Sequence, residues 1–166
     1  MANYSLPYFG ELDSKNLEEY YDVDIDFNGQ KTQIDLNFEN NSIDTKRLDI
    51  VKQFIENISE FDKKNKKYIE EDYADADNGT VKTYVEHRLE EIGKDELSNL
   101  VDFDNKATNP EIQLINSLRL VRVGLYPDNE DQFAVFDYSI GKELTQYLVV
   151  ININEKGYLD YMTMES

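Results

Sequence analysis

From Tyr20 to Phe27 apolar and acidic residues alternate without a break, Tyr21, Val23, Ile25 and Phe27 interleaving with Asp22, Asp24 and Asp26. A period of two puts one side-chain set in a core and the other in water, as in a half-buried strand. Asn28-Gly29 follows, a pair that adopts the positive φ angles of a tight hairpin turn. From Thr32 the alternation resumes, Ile34, Leu36 and Phe38 against Gln33, Asp35 and Asn37, so a β-hairpin is predicted here.

The period then changes. Asn40-Asn41-Ser42 breaks the strand, and Asp44 is placed to cap a helix in which Leu48, Val51, Phe54, Ile55 and Ile58 recur at helical spacing. Ser59 is a candidate cap for a second helix, Glu60 to Tyr73, with Phe61, Tyr68 and Ile69 on its thinner apolar face beside four lysines. Asp75 to Gly79 reads as a turn, with Asn78-Gly79 ending one helix and Thr80 capping the next. Val81, Tyr84, Val85, Leu89 and Ile92 mark that third helix, ended by Gly93, and Asp95 to Val101 suggests one more short helix. Asn109-Pro110 separates this middle from an end rich in β-formers. Its predicted strands are Ile112 to Tyr126, Gln132 to Tyr138 and Gln146 to Asn154, then Tyr158 to Met162 after the turn Asn154-Glu155-Lys156-Gly157. Strands, helices, then strands again predict an α+β fold: an N-terminal hairpin, three to four helices and a C-terminal antiparallel sheet. With no repeat and no linker-like stretch, residues 1–166 read as one domain.

A chain of 166 residues buries roughly 70% of its unfolded surface, and 40% hydrophobic residues supply a core. Charge changes the picture more. Lys and Arg total 17 against 35 Asp and Glu, a net charge of -18, which repels nucleic-acid phosphates and anionic lipid and steers a basic partner inward. There is no cysteine, so disulfides, thiolate metal sites and a Cys nucleophile drop out. The first residues carry neither a basic nor an apolar leader region, and no stretch approaches a membrane span, so a cytoplasmic location is expected.

The segments YFGELD (Tyr8 to Asp13), YYDVDIDFNGQKTQIDLNFE (Tyr20 to Glu39), FDYSIG (Phe136 to Gly141) and Leu148 to Ile153 together resemble a family of uncharacterised bacterial proteins known only as a domain of unknown function. The resemblance spans essentially the whole chain and implies fold and bacterial origin; it carries no residue role. Small acidic α+β proteins also occur among immunity proteins that neutralise bacterial toxins, an analogy of size, charge and architecture.

Candidate chemistry is sparse. On an extended strand Asp22, Asp24 and Asp26 project from one face, roughly 7 Å apart, where they could collect a cation or a basic partner. They do not form a calcium loop, since Phe27 and Gln33 stand where Gly and Glu are required. Asp75-Ala76-Asp77-Asn78-Gly79 comes nearer, with Glu86 at the twelfth position, but the glycine is one place early. His87 is the sole histidine, so any triad or zinc site would be built around it, and zinc sites generally need more than one such ligand. No G-x-S-x-G elbow or phosphate-binding glycine loop is present. The 12 tyrosines, among them Tyr20, Tyr126, Tyr158 and Tyr161, suit strand packing or a protein interface.

The favoured reading is a non-catalytic acidic module for protein binding, an immunity or inhibitor protein being one form, without cofactor. Asp22, Asp24, Asp26, Glu70, Glu71, Asp72, Asp75 and Asp77 are its candidate contacts to a basic protein. The alternative is a metal-dependent enzyme or cation-binding domain built on Asp75, Asp77, Glu86 and His87. A weaker alternative is a nucleic-acid mimic whose carboxylates imitate phosphates.

Overall fold

A computed structural model describes residues 2–75, 77 and 79–166. It opens on a hairpin that the hydrophobic pattern does not announce, β1 (Asn3–Leu6) paired antiparallel with β2 (Gly10–Asp13). Tyr8 and Gly10 make its turn at positive φ, and buried Leu6 and Leu12 anchor it. The predicted second hairpin forms between β3 (Tyr20–Phe27) and β4 (Gln30–Asn37), with Asn28 at φ 52° and Gly29 at φ 78° as the turn.

Asp44 caps α1 (Thr45–Glu56) by accepting from the Lys46 backbone N–H at 3.0 Å. α2 (Ile58–Ala74) follows after one residue, so Asn57 closes one helix and starts the other, and Ser59 lies inside α2 rather than capping it. α3 (Thr80–Glu91) is capped from a distance: Asp72 accepts from the Val81 backbone N–H at 2.7 Å, and Thr80 is the first helical residue. Asn78 lies outside the described residues. Gly93 does not take the left-handed conformation; α3 ends as Ile92 turns extended, and Gly93 leads into α4 (Lys94–Leu97) at φ -64°.

The expected strand Ile112 to Tyr126 is two elements, α5 (Pro110–Asn116) and β5 (Arg119–Leu125). Asn109 accepts from the Ile112 backbone N–H at 2.8 Å and Pro110 sits in the first turn, a start signal that outweighs the β-branched residues after it. β6 (Ala134–Ser139), β7 (Leu148–Ile153) and β8 (Leu159–Glu165) complete the chain.

Strands β3 to β8 form one sheet in chain order. All its pairs are antiparallel except β4 with β5, and the crossover this parallel pair requires is the helical middle. Predicted hairpin and predicted C-terminal sheet are thus halves of one α+β sheet. The helices cover one face: Phe61 of α2 packs on Phe136 of β6 with ring centroids 5.8 Å apart, and Asp62 and Asn65 of α2 reach Tyr138. Ile34, Leu36, Val123 and Ile151 are fully buried in that core. No helix among the described residues is long and apolar enough to cross a membrane.

Candidate functional site on the open sheet face

The other face of the sheet carries the polar half of each alternating strand, and its shape begins with an irregularity in β5. Register slips between Leu120 and Arg122, so Arg119 stands opposite Ser139 and Arg122 opposite Asp137, both on the open face, with Val121 as the extra residue. Arg122 then runs across Gly124, where a Cβ would fall 2.4 Å from the guanidinium. Only glycine leaves that path clear. Across the path lies Asp35, paired in register with Gly124 and 1% exposed.

Arg122 donates to Asp35 through Nε at 2.7 Å and Nη2 at 3.0 Å, to the Tyr126 hydroxyl at 3.1 Å, and to Asp137 through Nη1 at 3.3 Å. This bidentate grip ties β4, β5 and β6 together, and Asn37 Nδ2 adds 2.7 Å to Asp35. Burial would lower the Arg122 guanidinium, but the hydrogen bonds and charges of Asp35, Tyr126 and Asp137 hold it above an ordinary arginine, so it stays charged. Burial raises the Asp137 carboxyl; Arg122 opposes the shift, and Asp35 and Glu165 add to it. Two hollows of about 780 and 470 Å³ meet over Arg122, Asp137 and Leu148, the first opening toward β3 and the second toward β8.

Asp22, Asp24 and Asp26 project, exposed, on this same face from β3, an edge strand. Each has a local partner: Gln33 Nε2 at 3.1 Å from Asp22, Lys31 at 3.3 Å from Asp24, and the Gly29 backbone N–H at 2.9 Å from Asp26. In a two-residue hairpin the residues flanking the turn exchange their backbone hydrogen bonds. Phe27, Ile25, Val23 and Tyr21 therefore face β4, while Asp22, Asp24 and Asp26 turn their backbone groups to the free edge.

The second acidic run lies elsewhere. Glu70 and Glu71 are exposed on α2, Asp72 is committed to capping α3, and Asp75 accepts from the Asp77 backbone N–H at 3.2 Å. Asp77 and Glu86 share a hollow of about 450 Å³ with Met164 of β8, which places them at the sheet edge opposite β3. Lys82 enters that hollow and pairs with Glu86 at 3.5 Å and Glu111 at 3.6 Å, while His87 is exposed on α3 and does not line it. Among the described residues no group of three or more His, Cys, Asp or Glu side chains could hold a metal ion.

Asp35, Arg122 and Asp137 escape the sequence reading. Their signal is a charge set inside an apolar strand: Arg122 between Val121 and Val123, Asp137 between Phe136 and Tyr138. Of the tyrosines, Tyr138 is core, whereas Tyr20, Tyr158 and Tyr161 are exposed, with Tyr161 on the rim of the smaller open-face hollow. No family model, no curated protein and no solved structure matches the chain.

Proposed function

We propose that this protein is a non-catalytic binding module that receives a basic protein partner along the β3 edge and the open sheet face beside it. One observation carries the reading: three exposed carboxylates stand on an edge strand whose outward backbone groups have no strand partner among the described residues, next to a hollow that Lys31, Arg119 and Lys142 line from exposed positions and whose deeper cation, Arg122, is already engaged by two carboxylates. A cationic strand or loop laid there meets complementary charge, and the net charge of -18 steers it in. A second copy of the chain fits poorly, because antiparallel pairing of two β3 strands sets aspartates against aspartates. An inhibitor or immunity protein that occludes a basic site on its target would act in this way, by steric and electrostatic blockade.

The test is titration of the isotopically labelled protein with a lysine-rich peptide, followed by amide chemical shifts. Shifts should centre on residues 20–26 and the strands beside them. The triple variant D22N/D24N/D26N should bind about tenfold more weakly while unfolding as wild type does, since exposed substitutions rarely change stability by more than ~0.5 kcal/mol. Shifts centred on residues 70–77, or unchanged affinity in the triple variant, would overturn the assignment.

A further inference from the structure

The hollow on the β8 side of Arg122 is built around a carboxylate that the chain does not saturate. Asp137 is 7% exposed; its Oδ2 accepts from Arg122 Nη1 at 3.3 Å, and its Oδ1 accepts no hydrogen bond from the described residues. Burying a carboxylate with incomplete pairing is costly. Arg122 is a weak remedy, because its Nε and Nη2 are held by Asp35. Asp35 and Glu165 make the site more negative still. Asp137 lies at the meeting point of the two open-face hollows, and Val135, Leu148 and Val150 line the smaller one, with Tyr161 at its rim. Val135, Leu148 and Val150 thus form an aliphatic strip in an otherwise polar hollow, beside one buried, half-paired negative charge.

The complement of that shape is an alkyl stem ending in a compact cation. A guanidinium is a planar fork of five donors suited to a bidentate carboxylate, and Asp137 has one oxygen open; an ammonium is a compact charge with three rotatable donors, which Asp137 Oδ1 and the other acceptors lining the hollow, Glu165 among them, can share. We propose that this hollow receives a lysine side chain of the basic partner, its ammonium on Asp137 Oδ1 and its methylenes along Val135, Leu148 and Val150. The source of the lysine rests on the partner reading above, whereas the hollow itself is testable with a side-chain analogue.

The probe is n-butylammonium, titrated into the protein with the Val and Leu methyl resonances as readout. Saturable shifts are expected at Val135, Leu148 and Val150, together with about tenfold weaker binding in D137N, weaker binding of n-butylguanidinium, and unchanged binding in D22N/D24N/D26N. Equal affinity in wild type and D137N, or the same shifts with n-butanol, would overturn the lysine hollow. Should D137N fail to fold, intermolecular contacts between the butylammonium methylenes and the Val135 and Val150 methyls in the wild-type protein decide: their presence supports the site and their absence removes it. Failure of butylammonium to bind, with the lysine-rich peptide still dependent on the β3 aspartates, would remove the hollow and leave the binding module. The reverse pattern would leave the hollow and remove the β3 docking edge.

Discussion

Asp137 and Tyr138 are neighbours in β6 that face opposite ways, and each buries a polar group by a different means. On the covered face the Tyr138 hydroxyl donates to Asp62 at 2.7 Å and accepts from Asn65 at 3.2 Å, and Lys66 closes the cluster at 3.3 Å from Asp62. Burial and the Asp62 carboxylate raise the Tyr138 hydroxyl far above its ordinary range, so it stays neutral. On the open face Asp137 and Asp35 share a single guanidinium. The covered face thus keeps a neutral donor in a buried cluster whose one orphaned atom, Asn65 Oδ1, is a neutral amide oxygen, whereas the open face holds full charges beneath two hollows and leaves one oxygen of a carboxylate unmatched. A neutral cluster shut under helices serves packing; a partly matched charge beneath a hollow is available to a ligand.

The contrast is most exposed to failure at Arg122. Replacing it with alanine strands Asp35 and Asp137 without a counter-ion, and urea denaturation should show a loss of about 3–5 kcal/mol. A loss below about 1 kcal/mol would mean that the open-face charges are already solvated and that the two faces differ little. Tyr138→Phe probes the covered face more gently. Asp62 keeps Lys66 and loses one hydrogen bond, while buried Asn65 loses the acceptor of its Nδ2, for an expected cost of about 2–3 kcal/mol in the same assay.

Asp137→Asn should show the smallest effect at neutral pH, about 1 kcal/mol or less in either direction, but with a distinct pH dependence. The folded Asp137 carboxyl lies above its ordinary value of 3.8, so the native state holds this proton where the unfolded chain has released it. The contribution of Asp137 to wild-type stability is therefore fullest below the ordinary aspartate range and is lost as pH rises through the raised folded value. D137N lacks that contribution, and its stability relative to wild type should climb across the same window. Parallel pH profiles for the two proteins would show that burial does not govern Asp137.

Much of this architecture is legible in the sequence, for local reasons. Period two and Asn28-Gly29 specify the β3–β4 hairpin, and Asp44 with Leu48, Val51 and Ile55 specifies α1. Strands β1 and β2 have four residues each, too few for alternation to register. Ile112, Leu114 and Ile115 suit a strand or a helix, and the cap at Asn109-Pro110 decides between them. The aspartates of β3 share a face because of strand period alone. The Arg122 site is different: Asp35 and Arg122 meet only because β4 pairs in parallel with β5, and their bond spans 87 residues. No local pattern encodes that register, nor the passage over Gly124.

Whether this sheet face receives a basic partner by charge is tested most directly by the affinity of the lysine-rich peptide at low and at high salt, for wild type and D22N/D24N/D26N side by side. Binding to wild type should weaken steeply as salt rises, and the variant should bind weakly at both with a shallower dependence. The same steep salt dependence and the same affinity in both proteins would contradict it, placing the recognition charge somewhere other than β3.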